Sequence, residues 1–258
     1  MVIPVYDKNP VRRTPVVTYA LIGLCALVFL AGPASGLNPV YGTGHQHLLC
    51  EQARYFAHWG VIPDELWHGR LSASGLDLPA GCTTPHFRKT PFLSVLTALF
   101  VHGSWVHLLG NMLFLYVFGD NVENRMGRVR FLLFYLAAGY LATYGFALAH
   151  AHSTQTLVGA SGAISGVLGA YLFLYPKARV TSLFPFLFFL PLRFPAWMVL
   201  CFWFVLQWLA SQTTSPGPGV AYLAHVVGFV FGFVCTWACF RRTPKLEPAH
   251  ATQGDLPP

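Results

Sequence analysis

Ser161 lies in the run Gly-Ala-Ser-Gly-Ala-Ile-Ser-Gly (159–166), and His225 lies in Ala-His-Val-Val-Gly-Phe-Val-Phe-Gly (224–232). A serine hydroxyl is a weak nucleophile until a base takes its proton, and an imidazole titrating near neutrality suits that task. His107 and Asn111 are spaced i, i+4, which puts them on one helix face. Two N–H donors on one face are what a tetrahedral oxyanion needs. Ser161 also opens a helical stretch, where backbone N–H groups are free and the dipole favours negative charge. Together these residues describe an acyl-transfer site. The nearest acids, Asp120 and Glu123, sit at the other end of the stretch that carries His107, so the expected unit is a Ser–His dyad without a carboxylate. Ser165, one turn further on, is the rival nucleophile, deeper and further from His225. Each residue alone has a plainer reading: small serines pack helices, a histidine or asparagine bonds a neighbour, and a histidine near a helix end caps it. The short Ser161 motif also lacks the last glycine of the soluble-hydrolase elbow, since Ala163 stands there. The combination carries the argument.

These side chains sit in a very apolar chain. Of 258 residues, 55% are hydrophobic and 10% charged, against about 25% charged in an ordinary soluble domain. Six apolar runs approach the roughly 20 residues needed to cross a bilayer: near 16–33, 92–118, 129–150, 157–176, 195–211 and 219–240. The expected fold is an all-α membrane bundle of six transmembrane helices spanning 15–241, with a long outer loop between the first two. Residues 1–14 form a cytoplasmic leader and 242–258 a disordered cytoplasmic tail. The first run also resembles a signal peptide, but its exit, Ala-Gly-Pro-Ala-Ser-Gly, puts Pro33 where a cleavage site would lie, which favours a retained helix. The net charge of +7 could suggest nucleic acid. Its distribution excludes that reading: with both termini cytoplasmic, Arg12, Arg13, Arg128, Arg130, Arg241 and Arg242 all fall inside, the positive-inside pattern.

In that orientation the even-numbered runs all enter from the outer face, so His107, Asn111, Ser161 and His225 share a depth. Ionisable groups at membrane depth are costly and mark function. Gly162 with Gly166 and Gly228 with Gly232 are small residues at i, i+4 that let membrane helices touch. Contact between those two faces brings Ser161 towards His225.

The outer segment from Ala34 to Pro91 reads as a partly folded cap with interfacial Trp59 and Trp67. Cys50 and Cys82 fall there and either pair in an oxidising compartment or stay free thiols. His45 and His47 also lie there, without the cysteine or carboxylate support of a metal site, so no metal and no cofactor are expected. Pro185, Pro191 and Pro195 exclude a regular span over 182–195, read as an interfacial cytoplasmic connection, and Ser211–Gly219 reads as a flexible outer loop.

The set His-Gly-Ser-Trp-Val-His-Leu-Leu-Gly-Asn (102–111) with the Glu-Asn-Arg-Met-Gly that follows at 123–127, then the Ser161 run, then the His225 run, resembles the rhomboid family of intramembrane serine proteases over essentially all six runs. The resemblance implies Ser161 as nucleophile, His225 as base, and His107 and Asn111 at the oxyanion. It gives His102 a supporting role, as it does Gly159, Gly162, Gly228 and Gly232, and makes Glu123 and Arg125 part of a structural motif. It implies substrates that are transmembrane proteins cut in or beside their membrane segments. The fifth run becomes a gate and 211–219 a lid. The short plain termini suggest a bacterial inner membrane, with the site open to the outer face. His102, Ser104 and Gln155 are candidates to hold the hydrolytic water. The long outer loop with two cysteines departs from the family and leaves that loop's structure open. A client-binding rhomboid-like protein without activity and a transporter are the other classes. Retention of both Ser161 and His225 weighs against the first, and the lack of internal symmetry against the second.

Overall fold

At the centre of the computed structural model is α7 (Ser161–Leu174), a helix buried without a break from Ala163 to Tyr171. Its sequence is mostly glycine, alanine, serine and aliphatic residues, so neighbours can close on it from all sides. The structure describes residues 3–9, 13–42, 44–69, 78–82, 89–184, 190–212 and 220–241. In chain order these form β1 (Ile3–Asp7), α1 (Val16–Ala31), α2 (His45–Trp59), α3 (Pro63–His68), α4 (Pro91–Ala98), α5 (Trp105–Met126), α6 (Arg128–Ala149), α7, β2 (Arg179–Phe184), β3 (Leu190–Pro195), α8 (Ala196–Ser211) and α9 (Tyr222–Phe240). The α5, α6, α8 and α9 helices all pack on α7.

The α6 and α9 helices are long and apolar enough to cross a membrane, and α1, α7 and α8 are shorter apolar helices. Their outer faces stay apolar: Leu132, Leu133 and Leu141 on α6 and Val205, Trp208 and Leu209 on α8 are exposed. Contiguous apolar surface of this kind marks contact with lipid or protein.

Helix ends are fastened by specific side chains. Glu123, buried near the end of α5, accepts from Val17 N (3.0 Å), Thr18 N (2.7 Å) and Thr18 Oγ1 (2.8 Å). It thereby satisfies the free N–H groups at the start of α1 with a negative charge at the positive end of the dipole. Arg125 lies 6.0 Å from the Phe240 ring and ties the end of α5 to that of α9.

Two expectations change. The chain is not all-α: β1, β2 and β3 form a three-stranded antiparallel sheet with β2 in the middle. The leader therefore contributes a strand, and the connection after α7 is a hairpin. Pro4, Pro191 and Pro195 all fall on the edge strands, where a missing N–H costs no ladder bond. The second run is broken into α4 and α5, because Ser104 adopts extended backbone and its hydroxyl accepts from His107 N (3.1 Å) to cap α5. The helix of the fourth run opens at Ser161, as the sequence suggests. Of the expected lid, 211–219, all but the first two residues lie outside the described residues, as does the tail, 242–258.

The outer cap is organised around α2 and α3. Cys50 and Cys82 are disulfide-bonded, with Cα atoms 5.4 Å apart. Lys89 Nζ bonds Glu65 Oε2 (2.5 Å) and Ala57 O (2.9 Å) in a nearly dry setting. Burial pushes the Lys89 ammonium below its ordinary value, and the Glu65 carboxylate opposes that. Val61 and Leu157 exchange both backbone hydrogen bonds (2.9 and 2.7 Å), so the cap pairs directly with the segment leading to Ser161.

Candidate active site

The position of Ser161 is set by how α7 meets α9. A methyl group on Gly228 would collide with Gly162 O, and one on Gly232 with Gly166 O. The glycine face of α9 therefore meets the α7 backbone at Gly162 and Gly166, in the same order along both helices, which makes the helices parallel. The expected contact of the two glycine faces is replaced by one in which Gly162 and Gly166 turn their open sides to α6. His225 lies three residues before Gly228, and Ser161 one before Gly162. That difference of two residues, at 1.5 Å each, puts them within about 3 Å of the same level along the seam. Ser161 is partly exposed and His225 is buried.

Gly159 turns the chain into α7 with φ +120°, a conformation side chains rarely adopt. It also leaves room for its neighbours. A methyl group there would sit 2.6 Å from His107 Nε2 and 3.6 Å from Asn111 Nδ2. Both polar side chains of α5 thus converge on the backbone just before Ser161, as their i, i+4 spacing predicts. Gly103 N donates to His107 Nδ1 (3.4 Å), so the ring proton belongs on Nε2, the nitrogen that faces Gly159. Asn111 Nδ2 is buried without a hydrogen-bond partner. Two N–H donors are therefore unspent beside Ser161.

The remaining candidates separate. His102 is buried, its Nδ1 3.2 Å from Phe100 O and its Nε2 without a partner, and its ring is 5.1 Å from that of His107. Ser104 accepts from His107 N at the α5 cap. Ser165 is buried and donates to Ser161 O (2.6 Å), which occupies the rival hydroxyl in holding the first turn of α7. Gly162 and Gly166 also approach Ala142 and Ala138 of α6, at 2.7 and 2.6 Å from an added methyl to the alanine Cβ.

One residue escaped the sequence reading. Gln207 of α8 is buried, and its Oε1 lies 2.7 Å from His225 Nδ1. Trp203, one turn earlier on α8, stacks on the same ring at 6.0 Å and 29°. His225 Nε2, on the other side of the imidazole, is buried and unbonded. The signal was present: an uncharged polar side chain inside Trp-Phe-Val-Leu-Gln-Trp-Leu (203–209). It stands alone in the apolar run 196–210, with no second polar residue inside that run to mark a face. On the cap, His47 Nδ1 is 3.0 Å from Tyr41 O. One group of potential metal ligands occurs among the described residues, Asp64, His68 and His152, remote in sequence from His45 and His47.

A family model described as the rhomboid domain matches residues 89–242. The chain is 30% identical over 160 residues to "Rhomboid protein 1, mitochondrial" of Saccharomyces cerevisiae, covering 60% of this chain and 44% of that protein. It is 36% identical over 84 residues to "Putative rhomboid protease YdcA" of Bacillus subtilis, covering 31% and 40%. It is 43% identical over 79 residues to "Rhomboid protease GluP" of the same organism, covering 31% and 15%. The chain thus spans less than half the length of these relatives.

Proposed function

The chain belongs to the rhomboid family, and from that premise we propose that it is an intramembrane serine endopeptidase cutting transmembrane proteins in or beside their membrane segments. The observation that carries the reading is the convergence of His107 Nε2 and Asn111 Nδ2 on Gly159, at the end of the helix seam that levels Ser161 with His225. In this mechanism Ser161 Oγ attacks the scissile carbonyl while His225 Nε2 takes the hydroxyl proton. The oxyanion forms beside His107 and Asn111, and the N–H groups opening α7 add to them. Collapse breaks the C–N bond, and imidazolium passes its proton to the leaving amine. Water, deprotonated by the same nitrogen, then attacks the acyl-Ser161 ester, and the proton returns to Ser161 as the acid departs.

Burial suits each step. At the depth of α7, about 21 Å long against a hydrocarbon core of about 30 Å, donors compete with little water. Six membrane-spanning helices with cytoplasmic termini are part of this proposal. So is an outer-facing site, consistent with the Cys50–Cys82 disulfide of an oxidising compartment, in a bacterial inner membrane. No metal or nucleic acid takes part.

Labelling with a fluorophosphonate probe tests the reading. The parent and Ser165→Ala should label, and Ser161→Ala and His225→Ala should not. A folded parent that ignores the probe, and also fails to cut a panel of transmembrane reporters, would favour client binding without catalysis.

A further inference from the structure

We propose that Gln207 is a positioning residue for His225, the third member of a Ser–His–Gln arrangement, supplied by the movable helix α8. The proposal rests on the proteolytic reading above. An amide Oε1 only accepts, so at 2.7 Å the imidazole proton must lie on Nδ1. That leaves the Nε2 lone pair, buried and unbonded, as the base for Ser161. A free imidazole divides itself between two tautomers, and only this one can take the serine proton. Trp203 fixes the plane of the ring and Gln207 its proton, and the two are spaced i, i+4 on one face of α8. The neutral amide fits the place. A carboxylate would also orient the ring, but its desolvation at this depth is far more costly.

A plainer role has the opposite sign. If the Gln207–His225 bond only latched α8 to the bundle, removing it would free α8 and speed probe entry. If it positions the base, removing it slows reaction at Ser161. The experiment measures fluorophosphonate labelling rates of the full chain in detergent from about pH 5 to about pH 9, for the parent, Gln207→Met and Gln207→Glu. Methionine keeps the length and lacks the strong acceptor. Gln207→Met should label about 10- to 100-fold more slowly. Gln207→Glu should recover most of the rate, with its acid limb moved to higher pH because a carboxylate favours imidazolium. Labelling of Gln207→Met at or above the parent rate would overturn the inference alone. A folded parent without Ser161 labelling would remove the reading beneath it as well. Should Gln207→Met fail to fold, nitrogen-15 histidine spectra of the parent decide: His225, assigned through His225→Ala, should carry its proton on Nδ1, and a proton on Nε2 would refute the proposal.

A separate observation carries a second inference. We infer that Asp64, His68 and His152 bind a borderline divalent cation such as Zn2+, outside the catalytic site. Asp64 and His68 are i, i+4 on α3, and His152 comes from the connection between α6 and α7. Their ligand atoms lie within 4.8 Å of one another. Both ring Nδ1 atoms face the same Asp64 Oδ1, at 3.0 and 3.9 Å, and the rings stack at 5.4 Å and 14°. Two imidazoles and a carboxylate are an accepted zinc donor set with one position open. The ion would bolt the cap to the segment that reaches Ser161 through the Val61–Leu157 bridge. Calorimetric titration of chelator-stripped full-length protein with Zn2+ should show one site, lost in His68→Ala and in His152→Ala and retained in His45→Ala. No zinc binding by the parent, or binding that survives both substitutions, would overturn it.

Discussion

The α7–α9 seam and the α8 helix are both apolar, and both contribute to the candidate site, yet they are held in opposite ways. In the seam, Gly228 and Gly232 of α9 and Gly169 of α7 lie against the opposite backbone with no space for a methyl group. On α8, Ala196, Leu200 and Gln207 are buried while Trp197, Phe202, Val205, Trp208 and Leu209 face outward. The hydrophobic effect cannot favour helix contact when lipid is as apolar as leucine. The seam packs backbone on backbone, whereas α8 rests on α9 through large side chains, Trp203 and Phe204 against Phe229, and in the proposed mechanism opening falls to α8. In that mechanism Ser161 is placed by the α7–α9 pair, and access and His225 orientation come from α8.

The contrast can be broken most severely at the seam. Gly232→Val should cost about 3 kcal/mol or more and abolish both stable expression and labelling. Val205→Ala and Trp208→Ala on the exposed face of α8 should leave the midpoint in a denaturant titration nearly unchanged. Equal losses at both places would erase the distinction. Next in size, Cys50→Ser should cost the cap about 2–4 kcal/mol and show as faster proteolysis within 34–91, with Ser161 labelling preserved. Glu123→Gln leaves the start of α1 with one neutral acceptor in place of a carboxylate, and should cost about 1–3 kcal/mol in the same titration.

The smallest effect concerns the sheet. Burial raises the Asp7 carboxyl from 3.8 to about 6, although Tyr171, Asn121 and Asn9 lower it by hydrogen bonding. A raised folded-state value means that the folded protein binds the extra proton between those limits. Stability therefore rises as pH falls from about 7 towards about 4, by about 1 kcal/mol per pH unit between about 6 and about 4, and is lost again as pH climbs through 6. Asp7→Asn should flatten that slope, measured as denaturation midpoint against pH.

The glycine seam could be read from the chain alone because its pattern is local: Gly162/Gly166 and Gly228/Gly232 repeat every turn, and each names its own face. His107 and Asn111 were readable for the same reason. The sheet was not. Ile3 pairs with Leu183, about 180 residues further along the chain, and Pro191 and Pro195 signal only that a helix is excluded, not that an edge strand is allowed. Ser104 illustrates a second use of one residue: its hydroxyl caps α5 and breaks the second run, which the apolar pattern alone does not signal. The Val61–Leu157 bridge and the Asp64–His68–His152 group join segments with no pattern in common, so only three-dimensional structure relates them.

In the proposed mechanism the sheet would also govern how α8 moves. Its first residues are fastened, since β3 runs straight into the helix at Pro195, Ala196 N bonds Ala178 O (2.8 Å) and Trp197 N bonds Pro176 O (3.0 Å). A helix pinned at one end is a lever. Gln207 lies eleven residues from Ala196, an arm of about 16 Å, so a tilt of about 10° carries it about 3 Å. That displacement exceeds the length of its bond to His225. Opening wide enough to admit a substrate helix would disarm the base, and only reclosure around the bound strand would arm it again. Such an interlock would keep the site idle whenever nothing fills it.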